Sequence, residues 1–179
     1  MDKTEKASKS EVSGEVEDNS PEQQTLTHQE AIDLAIQHHT AGELGKAESI
    51  YQQILQTDPN HPDVLHLLGL IFHQKGENDT AVDLMTKAID LKPEFAEAHS
   101  NLGLSLQELG KLDEAIDHYH KAISIKPKLT TAHYNHGLVL QELGRLDEAI
   151  ACYQKALTID PEFAKAHNNL GTVLKEHGR

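Results

Sequence analysis

The sequence predicts an all-α fold, a solenoid of antiparallel helix pairs, and three observations carry that prediction. Proline recurs at Pro59, Pro93, Pro127 and Pro161, each 34 residues after the last. Glycine recurs at the same step, at Gly42, Gly76, Gly110, Gly144 and Gly178. Whole segments also return: QELGKLDEAI at 107–116 differs from QELGRLDEAI at 141–150 in one residue, and PEFAEAHSNLG at 93–103 differs from PEFAKAHNNLG at 161–171 in two. A period of this length holds one helix–turn–helix unit, which cannot bury its apolar face alone and does so against neighbouring copies.

Residues 1–26 are polar and charged, with few large apolar groups to offset the entropy of ordering, and are read as a disordered acidic tail. Order is expected from Thr27, where Thr27-His28-Gln29-Glu30 fits a capping box and Ala31, Ile32, Leu34 and Ala35 follow at helical spacing. The array then occupies 28–179, as repeats 28–61, 62–95, 96–129 and 130–163 and a partial repeat 164–179. In each repeat the glycine ends the first helix, because it tolerates the left-handed backbone past a helix C-terminus. The proline stops the second helix, because it cannot continue the backbone ladder. Small residues recur in first helices (Gly69, Gly103, Gly137, Gly171) and second helices (Ala47, Ala81, Ala115, Ala149), opposite large ones (Leu34, Leu68, Leu102, Leu170; Tyr51, Tyr119, Tyr153). Large against small lets antiparallel helices pack without voids. Met85 takes the place of a tyrosine, and His136 that of a leucine expected to be buried; an imidazole there needs partners and weakens its repeat.

Charge and composition exclude several functions. Sixteen Lys and Arg against 29 Asp and Glu leave a net charge of −13, the wrong sign for nucleic acid or an anionic membrane surface. The single cysteine, Cys152, rules out an internal disulfide and sits in an apolar helical register that favours packing over reactivity. No apolar run approaches membrane-spanning length and the N-terminus lacks a secretory h-region, so a cytoplasmic protein is expected.

The spacing, the small residues, the aromatics at 51, 119 and 153 and the terminal proline resemble the tetratricopeptide repeat (TPR) family from about residue 28 onward. The resemblance implies a right-handed superhelix whose first helices line a concave groove. It also implies a protein-interaction scaffold that holds an extended peptide or partner segment in that groove. Carried over residue by residue, the peptide-binding set is Asn101, Asn135, Asn169, Ser100, Leu104, Gln107, Tyr134, Leu138, Gln141 and Asn168. The asparagine column draws most notice, since Asn is a poor helix former and its amide can both donate to and accept from a peptide unit. It is similar to the asparagine ladder in the repeat arm of O-linked N-acetylglucosamine transferases. The competing reading is that each Asn bonds the neighbouring repeat and only stabilises the stack. Three rungs at about 0.5–1.5 kcal/mol each give weak binding by themselves. Capture of a C-terminal carboxylate by a Lys/Arg clamp is disfavoured, because His66, Ser100 and Tyr134 stand where a lysine would help and, among the inward positions, only Lys165 and Lys175 in the partial repeat are basic.

Thirteen histidines raise the question of metal. Zinc needs three or four ligands converging at about 2 Å, and His38-His39, His118-x-His120 and His133-x-x-His136 supply no evident third ligand. His99, His133 and His167 form a column, but packed helices lie about 8–10 Å apart, so packing is the reading taken. No metal and no cofactor are expected. No phosphate loop, nucleophile elbow or Cys–His pair supports catalysis, so the chain is read as a non-enzyme. Asp113-Glu114 and Asp147-Glu148 suit the positive ends of second helices. The alternative is the substrate-recognition arm of a larger TPR-linked glycosyltransferase, sulfotransferase or methyltransferase, since Leu170, Val173 and Leu174 continue the internal pattern to the end of the sequence. Self-association through the end repeats, with Leu170 and Val173 as a sticky face, is the other partner expectation.

Overall fold

A computed structural model describes residues 27–178, and the expected acidic tail lies outside the described residues. Among the described residues there are nine α-helices: α1 (His28–Thr40), α2 (Leu44–Thr57), α3 (Pro62–Gln74), α4 (Asn78–Leu91), α5 (Ala96–Glu108), α6 (Leu112–Ile125), α7 (Thr130–Glu142), α8 (Leu146–Ile159) and α9 (Ala164–Glu176). Odd helices begin 34 residues apart, and so do even ones, so the sequence period is the period of the fold.

Local chemistry explains each boundary. Thr27 caps α1 with its hydroxyl on the Glu30 amide while the Glu30 carboxylate takes the Thr27 N–H at 2.8 Å, the reciprocal capping box. The five glycines that follow the odd helices all have positive φ, between 71° and 78°, a conformation that costs any other residue strain. Each even helix stops one residue short of Pro59, Pro93, Pro127 or Pro161. Asp113 and Glu114 in α6, and Asp147 and Glu148 in α8, lie in the first turn, where the helix dipole favours them.

Within a repeat, the odd helix lays its glycine on the large side chain of its even partner. A Cβ on Gly103 would stand 2.8 Å from Tyr119 Cε1, one on Gly137 2.7 Å from Tyr153 Cε1, and one on Gly69 2.9 Å from Met85 Cγ. Tyr51, Met85, Tyr119 and Tyr153 are fully buried, as are Ala47, Ala81, Ala115 and Ala149. Two apolar cores result. One runs from Ile32 to Ile71; the other joins Met85 to Val173 through Leu102, Tyr119, Leu140 and Tyr153. Val173 therefore offers no sticky face: it is fully buried, because α9 turns it into the second core.

Successive odd helices are bridged directly by side chains: His39 to Gln74, Asn101 to His66, Gln107 to Glu142, and Asn169 to Tyr134. They form one continuous wall on the more closely spaced, inner side of the stack. No helix among the described residues is long and apolar enough to cross a membrane.

Candidate functional site

The wall of odd helices presents an apolar column flanked by polar rows. Leu70, Leu104 and Leu138 recur at the 34-residue step and are half-buried, and Ile36 precedes them, 38% exposed. One turn further along each helix, Glu108, Glu142 and Glu176 are exposed. On the other side runs the asparagine column.

That column is tied to the repeat before it by bonds spanning 35 residues, one more than the period. The Asn101 amide nitrogen lies 2.8 Å from His66 Nε2, and the Asn169 amide donates to the Tyr134 hydroxyl at 3.1 Å. An amide nitrogen only donates, so His66 Nε2 accepts and its ring proton sits on Nδ1. Burial keeps that ring neutral, lowering its pKa to about 4. The middle rung is missing. Asn135 would meet Ser100, whose side chain is too short to span the gap. Asn135 makes no side-chain hydrogen bond among the described residues, and the buried Ser100 hydroxyl is left without a partner.

The glutamines form a second ladder. The Tyr153 hydroxyl donates to Gln141 Oε1 at 2.9 Å, and the Gln141 amide donates to Glu176 at 3.4 Å. Tyr119 and Gln107 repeat this more loosely at 3.5 Å, with Gln107 donating to Glu142 at 3.1 Å. Burial holds both phenols protonated, far above the ordinary tyrosine range.

The ten residues read from the sequence thus separate into groups. Asn101, Asn169, Gln107, Gln141 and Tyr134 serve bonds between or within repeats. Ser100 is 2% exposed and enclosed in the wall, because the small side chain sits where α5 meets its neighbours. Asn135, Leu104 and Leu138 are half-buried on the inner face, and Asn168 is exposed.

Two features were missed in the sequence. His99, His133 and His167 each donate from Nε2 to the carbonyl of the proline six residues earlier, at 3.0, 3.0 and 2.8 Å, pinning the turn to the odd helix. The signal was present as a thrice-repeated Pro-to-His spacing. The second is a cleft of about 340 Å³ between α1, α3 and Phe95, with apolar walls from Ile32, Ile36 and Leu67.

Two further histidine pairs pack against each other, His99 with His118 and His120 with His136. With its Nε2 proton committed to Pro93, His99 offers a bare Nδ1 that accepts from His118 Nδ1 at 3.0 Å. Burial drives the His118 pKa down to about 4. His136, 8% exposed, meets the Cys152 thiol at 3.5 Å and the edge of His120, and burial lowers its pKa to about 4. The Cys152 thiol is pushed up to about 11 by burial, so it is not a ready nucleophile. Among the described residues no three His, Cys, Asp or Glu side chains gather as a metal site.

Comparisons with known proteins agree with this architecture. Models described as TPR repeat match residues 69–110 and 137–178, and models described as tetratricopeptide repeat match 96–129 and 50–83. A comparison with curated proteins yields no match. Among solved structures, the chain is similar to MamA at 29% identity and TM-score 0.71, over 82% of this chain and 85% of MamA. The first TPR of Spaghetti (RPAP3), solved bound to the HSP90 peptide SRMEEVD, aligns at 24% identity and TM-score 0.64, over 66% of this chain and 94% of that one. Cut9, from the APC/C hetero-tetramer Cut9-Hcn1, aligns at 24% identity and TM-score 0.78, over 83% of this chain and 30% of that one. With its helix pairs at a 34-residue step and repeat models matched over residues 50–129 and 137–178, the chain belongs to the tetratricopeptide repeat family.

Proposed function

We propose that this chain is a binding scaffold whose inner wall holds an extended segment of another polypeptide. The observation that carries the reading is the interrupted ladder. Asn135 presents a donor and an acceptor with no partner among the described residues, beside the column of Leu104 and Leu138 on the inner wall. A peptide unit supplies the complementary carbonyl and N–H, and its apolar side chains cover the leucines. The TPR of RPAP3 solved with a peptide lends support by analogy of fold.

Asn101 and Asn169 hold the wall together, while Asn135 reads the ligand. Peptides selected against the chain from a random display library are therefore expected to lose about three- to tenfold in affinity on Asn135→Ala, the worth of about one hydrogen bond. The melting temperature of that variant is expected to stay level or rise slightly, since Ala is the better helix former. Asn101→Ala strands His66 Nε2 and is expected to lower stability. Selected peptides that bind Asn135→Ala and the parent equally would refute the role given to this residue.

A further inference from the structure

We propose that the segment held by the inner wall is cationic, an extended chain with lysine or arginine at every third position and apolar residues between them. This deepens the groove reading above and rests on it. The first argument is the sign of the wall. Asp63 and Glu97 are neutralised by Lys92 at 3.2 Å and Lys126 at 2.6 Å. Glu108, Glu142 and Glu176 form no ion pair among the described residues; Glu142 and Glu176 accept only from glutamine amides. The wall's own cations, Lys165 and Lys175, are both on α9, the helix that carries Glu176, and neither forms an ion pair with the three glutamates among the described residues. A chain of net charge −13 attracts a cationic segment and repels an acidic one.

The second argument is spacing. The three glutamates recur at 34 residues on helices that pack about 8–10 Å apart. A chain in the polyproline II conformation advances about 3.1 Å per residue and returns to the same side every three residues, so its step of about 9 Å matches one repeat. Cations three residues apart then meet Glu108, Glu142 and Glu176 in turn. The intervening apolar side chains lie on Leu104 and Leu138, and the backbone passes Asn135. The carboxylates set which segment is taken, and the leucines and the free amide hold it.

The test is a fluorescence-anisotropy titration of the full chain with a labelled peptide of about four Lys-Leu-Pro triplets. Its controls are a Gln-Leu-Pro peptide and a peptide of the same lysine content with the lysines adjacent in pairs. Backbone amide shifts are followed in parallel by NMR. The Lys-Leu-Pro peptide is expected to bind about tenfold more tightly than the neutral one at low ionic strength, and the advantage is expected to shrink in high salt. The variant Glu108→Gln/Glu142→Gln/Glu176→Gln keeps acceptors for Gln107 and Gln141, so it is expected to retain its helical circular dichroism and lose that preference. Equal binding of neutral and cationic peptides with shifts at Asn135 and Leu104 overturns the cationic claim and leaves the groove reading standing. Binding of the cationic peptide with those resonances unmoved defeats the groove reading and this proposal with it. A triple variant as tight as the parent, equal binding of the paired-lysine peptide, or no binding of any peptide also overturns the proposal.

Discussion

Three tyrosines fill the same seat in α2, α6 and α8, yet their hydroxyls meet different fates. Tyr153 donates to Gln141 at 2.9 Å and Tyr119 to Gln107 at 3.5 Å. The Tyr51 hydroxyl is buried without a partner, and burial pushes its pKa up to about 12. The cause lies twelve residues upstream, where His39 replaces the glutamine and turns instead to Gln74. Tyr51→Phe removes a polar group that has no bond to lose, so its unfolding free energy is expected to stay level or rise. Tyr153→Phe breaks a made bond and strands Gln141 Oε1, so it is expected to lose about 1 kcal/mol. Urea unfolding of the two variants beside the parent checks the contrast. The aromatic column was plain in the sequence, where all three residues look equal. The difference depends on what stands on another helix, and the repeat period does not reveal it.

The helix pair is the element on which stability turns, and the glycine between its two members decides how close they come. Gly137 is pressed on the fully buried Tyr153 ring, so a methyl group there would lie 2.7 Å from Cε1 with nowhere for the ring to go. Gly171, its counterpart in α9, meets nothing within 4 Å. Gly137→Ala is expected to cost about 1–3 kcal/mol. Gly171→Ala is expected to gain up to about 1 kcal/mol of helix propensity. Thermal unfolding followed at 222 nm reads both. Helix boundaries, caps and the glycine–tyrosine contact were legible in advance because each is written in residues that recur at one offset. The wall was legible only in part. The asparagine column was visible, but its bonds reach residues one position off the period, so the period alone does not pair Asn101 with His66 or Asn169 with Tyr134. Side-chain length then settled which rung stayed open, a matter of reach that only coordinates supply.

At the scale of the whole molecule, the buried imidazoles make stability depend on pH. His66, His118 and His136 have pKa values lowered to about 4 in the fold, chiefly by burial, against about 6.5 when exposed. The folded state thus binds fewer protons than the unfolded one between these values. Their contribution is fully present above pH 6.5 and is lost as pH falls through that window toward 4, by up to about 1.4 kcal/mol per pH unit for each ring. Urea midpoints are expected to fall from pH 7 to pH 4.5. His136→Leu puts back the residue that Leu68, Leu102 and Leu170 supply at the same seat, and is expected to raise the midpoint and flatten the pH slope. A slope unchanged by that substitution would show that His136 does not titrate with folding. The bridges along the inner wall have one more consequence. Each joins a unit to its immediate predecessor, and the unit 130–163 carries both halves: a copy spliced after it would set a second Asn135 against Tyr134 and Gln141 against a second Glu142, the pairings made by Asn169 with Tyr134 and by Gln107 with Glu142. Evolution or engineering can therefore lengthen the hollow by repeating that one module without redesigning its seams.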